Sequence, residues 1–420
     1  MEITDIATQE SKNPLRHLRA SDVRGLAQLA SQATQGVTGI TEGVHLSVLA
    51  TIGLPGAAKE GRTRGITGIV YSSVRFATHI LGKGVDKALG AMQPLFDLFE
   101  GDKPETPRRE AVLSALNGVM GDRLLANNNP FAIPMSLRHQ GQALNPDSIQ
   151  SLPGATGKIA LMIHGLCMSD LAWSGTETTT TTGHPQALAS ALGYTPIYLR
   201  YNSGMHISQN GRELAEQLEK LLAHWPAAIE DLTVVAHSMG GLLIRSAIHN
   251  AEKQGMAWPS LLKNIVFLGT PHQGAPLEKV GNWVDALMGS TPYTRPFNAL
   301  GKIRSAGITD LRFGNILDED WQGTDRFNLT GDQRKAVPLP DDVRCFCIAA
   351  TTTEKRGALA DRLIGDGLVP VNSALGSHDK AHKAIAFDSE RQWISYRMNH
   401  MELLSRPEVT EKILEWLRPV

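Results

Sequence analysis

Short apolar runs alternate with helical patterns from residue 158 onward, and this alternation limits the possible folds more than any other feature. The runs read KIALMI (158–163), TPIYLRY (195–201), DLTVVA (231–236), KNIVFLG (263–269) and RCFCIAA (344–350). Strands that are apolar along nearly their whole length are buried on both faces, as in parallel sheets covered by helices. The sequence therefore predicts an α/β domain with a mostly parallel, doubly wound sheet.

The helices between these runs and the C-terminal elements are also recognisable. The segment NGRELAEQLEKLLAHW (210–225) has the apolar spacing of a helix, and Asn210 and Glu213 stand at the spacing of a capping box. This spacing predicts that the helix begins near Asn210. After the last apolar run we expect a loop, a short strand KAIAF (383–387) and a closing helix at 406–417.

Composition changes near residue 150 and predicts two parts. The stretch NPDSIQSLPGATGK (145–158) is typical of a linker, so we expect a helical N-terminal extension over 1–150 and a catalytic domain over 151–420. A long, irregular and aromatic insertion around 274–342 is typical of a lid or cap. The N-terminal helices are expected to pack on the catalytic domain, and peripheral contact with a lipid surface is the alternative.

The charge balance and the cysteines exclude several classes of function. The chain has 41 basic and 42 acidic side chains, so no net charge attracts it to nucleic acid. Its three cysteines include no CxxC pair that would indicate zinc. No apolar leader follows a basic start, and no apolar stretch is long enough to span a membrane. A cytoplasmic protein without metal or cofactor is expected, and its oligomeric state is left open.

The segment VVAHSMGGLL (234–243) carries the clearest chemical signal. A buried strand runs into a helix with Ser238 at the junction, which is the arrangement of a nucleophile elbow. Small neighbours let the backbone turn tightly, and Ala236 and Gly240 flank the serine two residues to either side. The general pattern has glycine at both places, so Ala236 is a mild departure. His237 is expected to belong to the packing of the turn.

A serine hydroxyl needs a base and an acid that orients it, and in folds with such an elbow both follow the serine along the chain. Asp366 lies in the turn LIGDGLVPVNSALG (363–376), and His400 lies just before the closing helix. Both are expected in loops at the carboxyl ends of strands, where α/β sheets bind ligands. The weaker candidates for the acid are Asp361, Asp379 and Asp388. The weaker candidates for the base are His378 and His382, and their spacing of four residues would also allow them to bind a metal from one helix.

The oxyanion of an acyl-transfer reaction needs two backbone N–H donors. One is expected from Met239, which follows the serine. The second is expected from Leu166 in MIHGLCMSDLAW (162–173), where His164 and Gly165 end the first long strand and glycine permits a close turn.

Five motifs in this order resemble those of α/β-hydrolase lipases and esterases, with the greatest likeness to bacterial lipases and the GPI-inositol-deacylase-like group. They are HGLCMSD, AHSMGG, FLGTPHQGAP, GDGLVP and NHMELL, within residues 157–420. The resemblance implies an α/β-hydrolase fold and no organic cofactor. It also implies Ser238 as nucleophile, Asp366 as acid, His400 as base and His272 as a structural or pocket-lining residue.

The sequence thus predicts a serine-dependent carboxylic-ester hydrolase for a lipid-like or other acyl-ester substrate. Two alternatives stay open at this level. An acyltransferase would use the same acyl-enzyme with an alcohol in place of water, and a catalytically idle scaffold at a lipid surface would keep only the fold.

Overall fold

A computed structural model describes residues 107–173, 183–276, 304–323, 331–354 and 365–418, together with Ser21, Arg24, Gly25, Gln28 and Asp325. The chain divides into two compact units, residues 1–132 with 284–303, and residues 133–283 with 304–420. Residues 29–106, which were predicted to form most of the N-terminal helices, lie outside the described residues. So does much of the predicted insertion. No helix in the described ranges is both long and apolar enough to cross a membrane.

Helix α1 (Pro107–Ala126) is the main described element of the first unit. It departs from helical backbone angles at Met120, with φ −142° and ψ 21°. The buried Asn117 amide lies just before this point and donates to the carbonyls of Leu113 (2.8 Å) and Phe131 (2.6 Å). The amide therefore ties the helix to the loop that follows it.

The second unit contains all eight strands described and seven of the helices described. In chain order they are β1 (Ser136–His139), β2 (Gln142–Ala143), α2 (Pro146–Gln150), β3 (Lys158–Ile163), α3 (His184–Leu192), β4 (Thr195–Arg200), α4 (Ile207–Ala223), β5 (Asp231–His237), α5 (Met239–Gln254), β6 (Leu262–Leu268), α6 (Ala306–Asp310), β7 (Arg344–Thr351), α7 (Val371–Ala374), β8 (Gln392–Tyr396) and α8 (Pro407–Leu417).

The strands form one sheet in the order β2-β1-β4-β3-β5-β6-β7-β8. Strand β1 runs antiparallel to both of its neighbours, and every pair from β4 to β8 is parallel. The chain moves from β3 to β4 on one side and then returns to place β5 on the other side of β3. This reversal makes the β3–β5 boundary the switch point of the sheet, where ligands bind beyond the carboxyl ends of the strands. The predicted mostly parallel, doubly wound sheet is confirmed.

Helices cover both faces of the sheet. On one face Met162 and Val235 pack in a core cluster with Leu188 of α3 and Ile413 of α8. On the other face α4 and α5 contact each other so closely that a Cβ on Gly211 would overlap the Ser246 side chain. Both faces are thus closed to water, which explains the continuously apolar strand sequences.

Some strand predictions were wrong at the sheet edges. KAIAF is not a strand, and the eighth strand is instead QWISY at 392–396. The short strands β1 and β2 precede residue 150, so the sheet starts earlier than the predicted domain boundary, which itself stays a prediction. Edge strands are short and partly exposed, so they lack the apolar run that marks a central strand.

The start of α4 was also predicted wrongly. The helix begins at Ile207, and Asn210 lies inside it, donating to the Asn202 carbonyl at 2.9 Å. The cap is the carboxylate of Asp310, which accepts the Ile207 N–H at 2.9 Å and lies 3.0 Å from the Nδ1 of His206. A carboxylate stabilises a helix N-terminus wherever it lies in the sequence, so the distant insertion sets this boundary.

Candidate active site

The backbone turns sharply at Ser238, between the end of β5 and the start of α5. Ser238 has φ 55° and ψ −125°, a conformation that residues with a Cβ rarely adopt. Two hydrogen bonds hold it, from the Ser238 N–H to the Leu268 carbonyl (2.8 Å) and from the Gly241 N–H to the Ser238 carbonyl (3.0 Å). This strained strand–turn–helix geometry is that of a nucleophile elbow.

Glycines allow the end of β3 to approach this turn. A Cβ on Gly240 would lie 2.7 Å from the carbonyl oxygens of both Ile163 and His164, and a Cβ on Gly165 would lie 3.0 Å from the Cβ of Ser238. Ala236, where the general pattern has glycine, lies in β5 with its methyl group fully buried. Of the two positions that flank Ser238, Gly240 in α5 is therefore the one where contact with β3 leaves no room for a side chain.

This contact gives a first prediction. We expect Gly240→Ala to lower the free energy of unfolding by about 1–3 kcal/mol, because the added methyl must displace two backbone carbonyls of β3 and its loop. Gly331→Ala is the matched control, since its Cβ would meet no atom within 4 Å. Urea unfolding of both variants measures the difference, and equal stabilities would show that the turn has room for a side chain.

Asp366 and His400 form a buried pair. The His400 Nδ1 lies 2.6 Å from the Asp366 Oδ2, and both residues are 2% exposed. The other carboxylate oxygen, Oδ1, accepts the N–H groups of Leu368 (3.0 Å) and Val369 (2.7 Å). A carboxylate at Nδ1 holds the proton on that nitrogen and leaves Nε2 as the basic nitrogen.

The pair lies at the carboxyl end of β6, next to the strand that carries Ser238. A Cβ on Gly269 would lie 3.2 Å from both Asp366 Oδ2 and His400 Cε1. Gly269 directly follows Leu268, whose carbonyl accepts the Ser238 N–H. In addition, the Nε2–H of His237 donates to the His400 carbonyl at 3.0 Å. The turn at Ser238 and the Asp366–His400 pair are thus connected by two sets of contacts, one through Leu268 and Gly269 and one through the His237 hydrogen bond.

The competing candidates lie elsewhere. Asp388 has a side chain 69% exposed and pairs with Arg391 at 3.0 Å. His378 lies 3.5 Å from Asp332, and His382 lies in a 3₁₀ turn. Asp361 lies outside the described residues. Within the described ranges no three metal-binding side chains are grouped together.

His164 and His237 support the site in their neutral forms. Burial lowers the pKa of His164 to about 3, and burial together with the nearby His400 lowers that of His237 well below its usual value. The His164 ring stacks on Tyr201 with centroids 4.4 Å apart, and the Tyr201 hydroxyl donates to the His164 carbonyl at 2.9 Å. Both rings therefore act as uncharged packing and hydrogen-bonding groups.

Buried neutral histidines predict a loss of stability in mild acid. Burial lowers the pKa of His164 to about 3 and that of His184 to about 4, whereas an unfolded chain has both near 6.5. The unfolded state thus binds more protons than the folded state below pH 6.5. The two neutral histidines therefore stabilise the fold fully above that pH, and this stabilisation is lost as the pH falls toward their folded pKa values. When the pH falls from 7 to 5, each of these two histidines is expected to lower the free energy of unfolding by about 2 kcal/mol.

Urea unfolding at the two pH values measures this loss. His184 donates to the Leu403 carbonyl at 2.9 Å and lies 2.7 Å from the Thr410 hydroxyl, so His184→Gln can keep polar contacts without titrating. The variant should lose about 2 kcal/mol less than the wild type, while His224→Gln, at an exposed position, should match it. An unchanged pH dependence in His184→Gln would contradict the prediction.

The loop after β3 is held firmly, and sequence reasoning missed what holds it. Cys167 has φ 59°, and its N–H donates to the Ser203 hydroxyl at 3.0 Å. Asp170 ends the loop in a buried ion pair with Arg138 of β1 at 3.2 Å. Ser203 and Arg138 come from separate elements, so only the tertiary structure connects them with the loop.

The two predicted oxyanion donors are both buried. Leu166 is 1% exposed in this loop, and Met239 is fully buried as the first residue of α5. The first N–H groups of a helix have no acceptor within it, so the Met239 N–H is free of the helical bonding pattern. The donor roles of both residues remain predictions.

A protein-family profile described as "Domain of unknown function (DUF7379)" matches residues 133–311, which include the turn at Ser238. No curated protein matches the chain significantly. Among solved structures the chain is similar to the mature form of a Bacillus licheniformis lipase, with 18% identity and a TM-score of 0.37 over 63% of this chain and 92% of that one. Aspergillus fumigatus lipase B has 11% identity and a TM-score of 0.40 over 92% and 83%.

A thioesterase of the prodiginine pathway from Streptomyces coelicolor has 12% identity and a TM-score of 0.36 over 63% of this chain and 91% of its own. The narrower likeness to the GPI-inositol-deacylase-like group stays a prediction. The strand order, the antiparallel strand β1 beside β4 and the turn at Ser238 are those of the α/β-hydrolase fold.

Proposed function

We propose that this chain is a serine-dependent carboxylic-ester hydrolase that works through an acyl-enzyme. The observation that carries the proposal is the buried 2.6 Å hydrogen bond between Asp366 and His400, linked through His237 and Gly269 to the strained turn at Ser238. A strained backbone costs about 1–3 kcal/mol and persists where the surrounding structure fixes it, often at active sites.

In the proposed first step the Ser238 Oγ attacks the ester carbonyl while the His400 Nε2 takes its proton. Asp366 stabilises the resulting imidazolium through Nδ1. The tetrahedral intermediate then collapses, the proton passes from His400 to the leaving alcohol, and the acyl group stays on Ser238. Water attacks the acyl-enzyme with His400 again as base, which releases the acid and restores the serine.

Negative charge develops on the former carbonyl oxygen in both steps. We propose that the N–H groups of Leu166 and Met239 donate to it. Gly165 supports this proposal, because it lets the loop that carries Leu166 approach the turn at Ser238 so closely that a Cβ there would lie 3.0 Å from the Ser238 Cβ. Removing one donor of this kind typically lowers the rate about 10²–10³-fold, so the positions of these two N–H groups contribute substantially to the proposed reaction.

For the substrate we propose a lipid-like or other acyl ester. The support is the aromatic and apolar composition of 274–342, which includes Trp283, Phe297, Phe313, Trp321 and Phe327. Apolar pockets under an insertion suit acyl chains. Peripheral contact of residues 1–150 with a lipid surface belongs to the same proposal, and these residues lie largely outside the described ranges.

Labelling with a fluorophosphonate tests the reaction class. The reagent is expected to modify the purified chain once, and peptide mapping by mass spectrometry should locate the adduct on Ser238. A panel of p-nitrophenyl esters from acetate to palmitate then tests the substrate class, with rates expected to rise with chain length. Absence of labelling would overturn the enzyme proposal, whereas labelling with a preference for acetate would overturn only the lipid-like substrate.

A further inference from the structure

A cavity of about 260 Å³ lies outside the proposed triad, and we call it the basic cavity. Its lining includes Arg245 of α5, His272, residues 334–338 and residues 382–385. Neither Ser238 nor the Asp366–His400 pair lines it. The volume is slightly below the roughly 300–1,000 Å³ of pockets for drug-sized ligands, so a small ligand is indicated.

Arg245 is the unusual residue of this cavity, because it is 5% exposed and has no carboxylate partner among the residues that the structure describes. Its guanidinium donates to the Val337 carbonyl at 2.6 Å and lies 3.5 Å from the His272 Nδ1. In the described part of the chain no carboxylate lies within ion-pair distance of it, and its Nε has no hydrogen-bond partner. Burying a charge without a counter-ion is costly, which points to an anion that this part of the chain does not supply.

Two more cations line the basic cavity with little exposure. The side chains of Arg334 and Lys383 are each 8% exposed, and they share the single carboxylate of Asp332 at 3.3 and 3.0 Å. Asp320 acts on Arg245 only through space, since its oxygens accept backbone N–H groups. Among the described residues, three cations with little exposure therefore face the two carboxylates of Asp332 and Asp320, which leaves Arg245 without an ion-pair partner there.

His272 lines the basic cavity as a neutral ring. An arginine can only donate, so the His272 Nδ1 facing Arg245 must accept, and the proton lies on Nε2. This Nε2 is fully buried and has no partner among the described residues. Burial and the neighbouring Arg245 and Arg334 hold the pKa of His272 well below its usual value, so the ring stays neutral.

We propose that the basic cavity binds a small oxyanion, namely a phosphate group. The planar guanidinium of Arg245 offers the paired N–H geometry that matches phosphate oxygens, while Lys383 and Arg334 add positive charge at the wall of the cavity. The phosphate can belong to a free small molecule or to a lipid headgroup, and both sources present the same chemistry.

Isothermal titration calorimetry of the full chain with inorganic phosphate, at ionic strength held constant with sodium chloride, tests this proposal. Saturable binding is expected in the wild type, and Arg245→Gln should weaken it by about tenfold or more, because a charged donor is lost. Arg397→Gln is the matched control, since Arg397 is 69% exposed and paired with Glu354, and it should bind as the wild type does. Should Arg245→Gln fail to fold, Lys383→Gln takes its place with the same expectation.

A second arm uses vesicles with and without phosphatidic acid. Binding of inorganic phosphate without vesicle binding assigns the site to a free phosphate compound, and vesicle binding lost in Arg245→Gln assigns it to a headgroup. The proposal is overturned if the wild type does not bind phosphate saturably, or if Arg245→Gln binds it as tightly as Arg397→Gln does.

Discussion

Replacement of Ser238 by alanine is expected to lower kcat for p-nitrophenyl esters by about 10⁴–10⁶-fold. Alanine removes the hydroxyl that is proposed to form the acyl-enzyme. It keeps a Cβ, so the strain at φ 55° and the two backbone bonds at the turn are retained. The fold should therefore persist, and circular dichroism spectra should match those of the wild type. Initial rates across the ester panel measure the loss.

Ser260→Ala is the matched control for this variant. Ser260 is exposed, and its hydroxyl donates to the Ala257 carbonyl at 2.7 Å, away from the proposed triad. The Ser260→Ala variant should hydrolyse esters at the wild-type rate. A Ser238→Ala rate within tenfold of the wild type would mean that another nucleophile performs the reaction.

Replacement of Asp366 by asparagine is expected to lower kcat by about 10⁴-fold, the size of effect known for a triad whose histidine tautomer is wrong. The geometry gives the reason. Oδ1 of Asp366 accepts two backbone N–H groups, so the amide oxygen of asparagine will stay there and its NH₂ will face the His400 Nδ1. His400 must then accept at Nδ1 and carry its proton on Nε2, where it cannot act as the base.

Asp388→Asn separates this effect from a general loss of carboxylate charge. Asp388 is one of the three weaker candidates for the acid in the sequence, and it pairs with Arg391 on the surface. The variant should keep the wild-type pH–rate profile and kcat. Full activity of Asp366→Asn, or a large loss in Asp388→Asn, would move the proposed acid to another residue.

The central strands and the turn at Ser238 were predictable because their signals are local. A strand buried on both faces must be apolar along its length. For five such strands the predicted ends lie within a few residues of the ends in the structure. The turn likewise depends on neighbours in sequence, since the strand, Ser238 and Gly240 are contiguous. Asp366 and His400 were predicted from chain order and from resemblance, and the structure brings them within 2.6 Å of each other.

The errors and omissions arise where distant segments decide the outcome. Asp310 caps α4 from about a hundred residues away, so a local capping box pointed to the wrong helix start. Arg138 anchors the loop after β3 from the short strand β1, which carries no apolar run. The basic cavity gave no signal in the sequence, because Arg245, Arg334 and Lys383 are far apart in the chain and none belongs to a motif.

By itself the sequence determined the layered α/β architecture, the sharp turn at Ser238 and the order of its proposed partners, since hydrophobic periodicity and turn chemistry act between near neighbours. Only the tertiary structure decided which carboxylate meets His400, what holds the loop after β3 and where a buried arginine has no counter-ion within the described part of the chain. These outcomes depend on distances between segments that are remote in the chain, and hydrogen bonds and ion pairs are set by such distances.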